Sequence, residues 1–338
     1  MSPVPRLARR VTIRDVAAEA GVAMSTVSRA LANPQRVNPD TQRRIAEIAR
    51  RLGYVTRSAG GRGHVNRGTV AVLVADVTNP FFFGLIRGAQ RELKSVGFTQ
   101  LLMDTEEDPE AERAALTKAA TLCDGIVISA SRLRDRELTA FAAEHPLVVI
   151  NRTPRQVPHV LLDTPSGVAQ AVEHLVSLGH HRLLYVSGPT SSWTNVQRWR
   201  SVKATAARLG ATAECSTPFA PTMDSGAAAA DAALNSRASA CIVFNDLIAI
   251  GMTMRFRERG VGVPGDMSVV GCDDILGANF CEPALTTVNA PIEHAGRLAV
   301  SLLQDMLGRG GRGERTGTVL PTHLVIRSST GPVGPSRK

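Results

Sequence analysis

The chain reads as an α/β protein in which a small all-α amino-terminal module precedes a large body built on parallel sheets, and three observations predict that division. The first is charge. Residues 1–68 hold 13 Arg, no Lys and four acids, whereas residues 69–338 hold 26 basic and 26 acidic side chains, so the formal net charge of +9 belongs to the first fifth of the chain. The second is periodicity, because apolar residues between positions 12 and 53 recur at helical spacing. The third is alternation. From residue 69 onward, short β-rich apolar runs take turns with helical segments, the pattern of parallel strands joined by crossover helices. A length of 338 residues with 43% hydrophobic content supports a full core and exceeds one ordinary domain.

Three short helices account for the module. Thr12 with Asp15 resembles an N-cap with a supporting acid; Ile13, Val16, Ala17 and Ala20 then share one face, and Gly21 ends the helix. The second helix begins near Met24, with Val27 and Leu31 turned inward and Met24, Ser25, Ser28 and Arg29 outward. Asn38 and Pro39 open the third as N-cap and first helical residue, and Ile45, Ile48, Ala49 and Leu52 form its apolar stripe. Helix, glycine turn and a second helix with short side chains at its start describe a helix-turn-helix, whose second helix lies in a major groove. Any one such helix is more often a structural element than a reader of DNA. The concentrated arginines shift that balance, since a planar guanidinium fork matches phosphates and guanine edges.

These residues carry a specific resemblance. The run Thr12-Ile13-Arg14-Asp15-Val16-Ala17-Ala18-Glu19-Ala20-Gly21-Val22, then Thr26-Val27-Ser28-Arg29-Ala30-Leu31-Ala32-Asn33, then Leu52-Gly53-Tyr54, resembles the headpiece of the lactose-repressor/galactose-repressor family of bacterial transcription regulators. The resemblance implies a helix-turn-helix domain over 11–57 that binds palindromic double-stranded operator DNA as a homodimer. It places base-reading residues at Met24, Ser25 and Arg29 and phosphate-proximal ones at Thr26 and Ser28, with Thr12, Tyr54, Arg57 and His64 completing the DNA-binding set. Ala23 stands where the family usually has a capping Ser or Thr, which costs about 1 kcal/mol unless Ser25 substitutes and leaves the start of the second helix open to a shift.

Residues 58–68 form a hinge or linker rich in glycine. In the family this stretch resembles a helix that orders on DNA and wedges a leucine into the minor groove, but here His64 or Val65 holds the leucine position. A helix through Gly60, Gly61 and Gly63 loses about 1 kcal/mol per glycine relative to alanine. Linker and DNA-ordered helix both stay open.

In the body, strands are expected at 70–75, 98–104, 125–130, 147–151, 182–188, 241–244 and 267–273, and helices at 81–96, 109–122, 165–178, 195–209, 225–235, 246–259 and 291–307. Ligands of such sheets sit beyond the carboxyl ends of the strands. There the chain places Asp76, Asn79 to Phe82, Ser187 to Pro189, Trp193, Arg198, Asn245, Asp246 and Cys272 to Asp274. Each alone serves equally well as a cap or turn residue. Together, acids and amides with the faces of Phe81, Phe82 and Trp193 suit a polyhydroxylated ligand. The phrases Asn79-Pro80-Phe81-Phe82, His174-Leu175, Leu178-Gly179-His180, Asn245-Asp246, Gly260 through Pro264, Gly271-Cys272-Asp273-Asp274 and Leu285-Thr286-Thr287-Val288 resemble the same family's effector core, which is similar to periplasmic sugar-binding proteins. That resemblance implies an effector-binding and dimerisation core over 69–331 with two lobes, one about 69–178 with 290–320, the other about 179–289 with 321–331. It implies pocket residues Phe81, Ser192, Thr194, Arg198, Asn245 and Asp273, to which the strand-end pattern adds Trp193. Cys272 replaces the usual aromatic and is expected to alter a wall of that pocket or its support.

Other classes fit less well. There is no G-x-S-x-G, P-loop or H-E-x-x-H motif, and the five scattered cysteines form no C-x-x-C pair, so no enzyme, cofactor, metal or disulfide framework is expected. No apolar run has signal-peptide character or membrane-spanning length, which places the protein in the cytoplasm with no membrane partner. A periplasmic binding protein would need an export signal and no arginine-rich headpiece. A constitutive DNA-binding protein with its core as a mere dimer scaffold remains an alternative. The sequence is read as that of a homodimeric transcription factor, a repressor of carbohydrate-related genes responsive to a carbohydrate-like small molecule.

Overall fold

The computed structural model describes residues 12–32, 37–52, 68–308 and 317–334. The chain divides between residues 67 and 68 into two compact units.

The first unit contains α1 (Ile13–Ala20), α2 (Met24–Ala32) and α3 (Pro39–Leu52). Asp15 Oδ2 accepts hydrogen bonds from the Thr12 amide and hydroxyl, each at 2.7 Å, which fixes the first turn of α1. Gly21 closes the helix with φ of 64°, and its N–H reaches the carbonyls of Ala17 and Ala18. Asn38 Oδ1 caps α3 by accepting from the Asp40 amide at 2.9 Å. Val16, Ala17, Ala20, Val27, Ala30, Ile45, Ile48 and Ala49 close one small core. Leu31, expected inside, is only half-buried, and Ala30 takes the inner position beside Val27.

The second unit runs β1 (Thr69–Val74), α4 (Phe81–Ser95), β2 (Thr99–Asp104), α5 (Pro109–Leu122), β3 (Gly125–Ser129), α6 (Asp135–Glu144), β4 (Leu147–Ile150), β5 (His159–Leu162), α7 (Thr164–Ser177), β6 (Arg182–Val186), α8 (Trp193–Arg208), β7 (Thr212–Cys215), α9 (Gly226–Asn235), β8 (Ala240–Val243), α10 (Asp246–Glu258), β9 (Ser268–Asp273), β10 (Thr286–Asn289), α11 (Ile292–Gly308), β11 (Gly317–Leu320) and β12 (His323–Val325). These make two six-stranded sheets, in the orders β11-β5-β4-β3-β1-β2 and β12-β10-β9-β8-β6-β7. Every pairing within these sheets is parallel, as expected, except that of the edge strand β12 with β10, which is antiparallel. Both faces of each sheet are covered. In β1, Val70, Val72 and Val74 join the cluster beneath α4 and α11, while Ala71 and Leu73 join the one beneath α5.

The chain crosses between lobes after β5, after β10 and after β11. Two crossings are stitched together: the Asp163 amide donates to the Leu320 carbonyl at 2.9 Å, and Thr322 Oγ1 donates to the Asp163 carbonyl at 2.7 Å. One boundary differs from the sequence reading. The expected first lobe extends to residue 178, yet Val168, Ala171, Val172 and Leu175 of α7 pack with Leu183, Tyr185 and Val202 of the second. The crossing falls at Asp163 because the apolar stripe of α7 is buried on the sheet it enters, not on the sheet it leaves.

Glycines let α4 and α11 approach closely. A Cβ on Gly88 would lie 2.1 Å from the Glu293 carbonyl oxygen, and one on Gly296 would lie 2.5 Å from that of Leu85. Gly88→Ala is expected to destabilise the core by about 1–3 kcal/mol through overpacking, although alanine is the better helix former by about 1 kcal/mol. Both tryptophans, Trp193 and Trp199, belong to the second unit, so urea unfolding followed by their fluorescence reads that core. A stabilised variant would contradict the packing argument.

A polar cleft between two lobes

The carboxyl ends of the strands face a cleft of about 420 Å³, including space open to solvent, lined by residues of both lobes. From the first come Asn79, Phe81, Phe82, Glu107, Ala130, Arg132 and Asn151; from the second, Ser192, Thr194, Arg198, Pro221, Phe244, Asn245 and Asp273.

Arg198, in the second turn of α8, is the buried charge of the second lobe. Its Nη1 donates to the Phe244 carbonyl, its Nη2 to Asp273 Oδ1 at 3.3 Å, and its guanidinium carbon lies 5.4 Å from the Phe244 ring centroid. Its Nε is buried with no hydrogen-bond partner. A buried N–H left unpaired costs free energy comparable to a lost hydrogen bond, which favours a ligand oxygen there. Burial pushes the Asp273 carboxyl up to about 6, with Arg198 pulling the other way.

Asp273 also sits at φ of 117° and Asp274 at 52°. Of the seven non-glycine residues with positive φ among the described residues, six (Glu106, Glu107, Ala130, Asn151, Asp273 and Asp274) follow or end strands at the cleft. Strain of this kind costs on the order of 1–3 kcal/mol per residue and persists only where the surroundings enforce it. Asp246 supplies that enforcement below Asp273: its carboxylate accepts from the Ile275 amide at 2.9 Å and from Thr287 Oγ1 at 2.6 Å. Desolvation raises its pKa well above the ordinary carboxylate range. Asp274 accepts from Arg327 Nη2 at 2.6 Å and from Asn289 Nδ2 at 2.8 Å. The strand-end loop is thereby tied to the residue just before the second crossing.

The expected pocket residues Phe81, Ser192, Thr194, Arg198, Asn245 and Asp273 all line the cleft, whereas Trp193 does not. Trp193 is the first residue of α8, and a helix turns each residue by about 100° from the last, so it faces away from the side its neighbours line. Asn245 is largely occupied as the cap of α10, with Oδ1 accepting from the Ile248 amide and Nδ2 donating to the Pro221 carbonyl. One amide N–H is left for a ligand. Ser192 Oγ accepts from the Asn195 amide and keeps its own proton to donate. Cys272 is no wall of the cleft: it packs fully buried beneath α7 and α8, and burial lifts its thiol to about 12. Sequence reasoning missed Glu107, Arg132, Asn151 and Phe244. Arg132, Asn151 and Phe244 end or follow runs read as strands, but nothing in SASRLRDRE says which arginine turns inward.

In the first unit, Met24, Ser25 and Arg29 are exposed on α2, Thr26 and Ser28 are half-buried, and Thr12 is exposed at the start of α1. Despite Ala23, α2 begins at Met24, with the Ala23 carbonyl accepting from the Thr26 and Val27 amides. Tyr54, Arg57, His64 and the segment 58–67 lie outside the described residues.

A two-lobed binding core carried on the same chain as a helix-turn-helix unit defines a ligand-linked DNA-binding regulator. Residues 12–57 match the family model for bacterial regulatory proteins of the lacI family, and residues 172–330 match a periplasmic binding protein-like domain. The HTH-type transcriptional repressor CytR of Escherichia coli is 30% identical over 333 residues, covering 94% of this chain and 96% of that protein. The HTH-type transcriptional regulator CelR of Thermobifida fusca is 33% identical over 340 residues, covering 95% and 98%. A solved CelR–cellobiose complex superposes with a TM-score of 0.69 at 29% identity over 95% of this chain and all of that one. The chain belongs to the LacI family of bacterial regulatory proteins and is a DNA-binding transcriptional regulator, not an enzyme. Among the described residues no helix is long and apolar enough to cross a membrane.

The raised pKa of Asp273 makes stability depend on pH. The folded state holds this proton up to about pH 6, whereas the ordinary value is 3.8, so raising the pH through that window destabilises the fold, by about 3 kcal/mol in all at 1.36 kcal/mol per unit. Asp273→Asn lacks that proton. Relative to wild type, it is expected to gain stability between pH 4 and 6 and to hold a constant difference above. Urea midpoints across that range check this; a difference independent of pH would refute it.

Proposed function

We propose that this chain is a cytoplasmic homodimeric repressor whose affinity for a palindromic operator is set by a small carbohydrate-like molecule bound between the core lobes. The observation that carries this reading is the cleft, where a buried guanidinium with an unpaired N–H stands beside a carboxylate and three phenylalanine rings. Hydroxyls of a sugar satisfy such groups, and apolar ring faces lie against the aromatics. The CelR complex with cellobiose, and a LacI-family regulator from Enterococcus faecium with bound ribose at 26% identity and a TM-score of 0.68, support the ligand class. The core in this reading spans 69–331 and the DNA-binding domain 11–57.

In that scheme Arg29 forks onto a guanine edge, Ser25 and Met24 touch neighbouring bases, and Thr12, Thr26, Ser28, Tyr54, Arg57 and His64 meet the backbone or the groove beside it. Phe81, Ser192, Thr194, Arg198, Asn245 and Asp273 hold the effector. Closure of the lobes on the effector alters the separation at which two headpieces meet two half-sites.

The test is selection of bound DNA from a random pool, with and without a panel of neutral sugars. A palindromic motif whose enrichment changes with one sugar is expected. Arg29→Ala is expected to relax one symmetric base pair at a cost of roughly 1–3 kcal/mol per half-site. Arg198→Lys should remove the sugar response while leaving sugar-free DNA binding intact, because lysine cannot reproduce the planar fork. An unchanged motif for Arg29→Ala would refute the recognition-helix assignment, and a sugar response retained by Arg198→Lys would refute the effector site.

A further inference from the structure

We propose that Arg132 and Glu107 form the first lobe's half of the ligand grip and, with Arg198 and Asp273 opposite, restrict the cleft to a neutral polyhydroxylated ligand held at both ends. The assignment rests on the cleft being the effector site. Arg132 is 4% exposed, and both its Nε, at 2.6 Å, and its Nη2 pair with a single oxygen of Glu107, Oε2. Among the described residues, Arg132 Nη1 and Glu107 Oε1 have no protein partner. The facing pair repeats the arrangement, since Asp273 gives only Oδ1 to Arg198, leaving Oδ2 and Arg198 Nε unused. Each ion pair therefore keeps a guanidinium nitrogen and a carboxylate oxygen that no protein group takes, Arg132 Nη1 and Glu107 Oε1 in the first lobe, the enclosed Arg198 Nε and Asp273 Oδ2 in the second. A hydroxyl matches such a couple because its oxygen accepts while its proton is donated, and neighbouring hydroxyls on a ring extend the match.

The first-lobe pair is built, not incidental. Glu112 of α5 is 1% exposed, and its carboxylate accepts from the Arg132 amide at 2.7 Å and from the Ser131 hydroxyl. Desolvation raises its pKa despite those hydrogen bonds. Burying a carboxyl is expensive unless it is paired, and this one spends both oxygens on the turn that carries Arg132. Arg152 braces the same turn, donating to the Ser131 carbonyl at 3.0 Å and to Asp135 at 2.7 Å. Charge sets the ligand class. The two guanidinium groups and two carboxylates cancel, so a phosphate or carboxylate on the ligand would enter beside Glu107 and Asp273 without a free cation to meet it.

The experiment is calorimetry of the full-length protein with D-ribose, D-glucose and cellobiose and with ribose 5-phosphate, glucose 6-phosphate and D-glucuronate. Wild type is compared with Arg132→Gln and Glu107→Gln. Wild type should bind a neutral compound and bind its anionic counterpart at least about 100-fold more weakly. Each variant should weaken the neutral compound roughly 10- to 100-fold, the range for a lost hydrogen bond to a charged group. Glu107→Gln should also narrow the gap between neutral and anionic forms about 10-fold or more, because it frees the Arg132 charge; loss of a merely structural contact would not do that. Equal or tighter binding of the anionic compounds by wild type, or neutral binding within about twofold of wild type in both variants, overturns this assignment alone. Failure of wild type to bind any compound of either set overturns the effector-site reading and this assignment with it.

Discussion

The cleft depends on the burial of Arg198. Its guanidinium reaches from α8 to the carbonyl at the end of β8 and the carboxylate at the end of β9, so one side chain fixes how three elements meet at the cleft floor. A charge taken from water is costly unless its hydrogen bonds and counterion are supplied, and here the Phe244 carbonyl and Asp273 each take one terminal nitrogen, the Phe244 ring lies against the guanidinium, and Nε is left without a partner. Much nearby structure follows from keeping those partners in place. Gly188 must lack a side chain, since a Cβ there would lie 2.4 Å from the Phe244 ring, and a Cβ on Gly271 would lie 2.0 Å from Asp246 Oδ1. Asp246 in turn holds the loop on which Asp273 adopts its strained conformation.

The two lobes meet the same demand by different means. In the second, the buried cation comes from a helix and its counterion from a strand end. In the first, the buried acid Glu112 lies on a helix and braces the backbone, while the cation that reaches the cleft follows β3. Both solutions concentrate positive-φ residues at the strand ends. The loops on the far sides of the sheets carry their left-handed residues at glycines, such as Gly97, Gly179, Gly210 and Gly260, where no strain is stored. Among the described residues, Gln156 is the one non-glycine residue with positive φ away from the cleft, and Asp274 is held by hydrogen bonds from Asn289, just before the second crossing, and from Arg327.

Much of this fold was legible in the sequence because buried parallel strands read as continuous apolar runs. The runs ending at Val74, Ser129, Ile150, Val186 and Val243 are strands for that reason. The strands His159–Leu162, Thr212–Cys215, Thr286–Asn289, Gly317–Leu320 and His323–Val325 were not foreseen. They are short, and several lie at or next to sheet edges and carry polar residues, so pairing rather than composition makes them strands. The helix Asp135–Glu144 was missed as well. At the cleft, strand-end position and family resemblance pointed to Arg198 and Asp273. Glu112 was invisible for a physical reason: in PEAERAALTKAATL a glutamate among charged neighbours reads as solvated, and only the turn packed over it shows otherwise. Trp193 misled because an aromatic near a strand end resembles a stacking platform until the helix phase is known.

Linked occupancy of the cleft and the operator requires the two affinities to change by one common factor. The direct measurement is a closed cycle on the full-length protein. Kd for the selected operator is determined with and without a saturating neutral sugar, and Kd for that sugar with and without saturating operator. Equal factors on the two sides of the cycle, both differing from one, are expected. A sugar that occupies the cleft while the operator Kd stays the same would contradict that linkage.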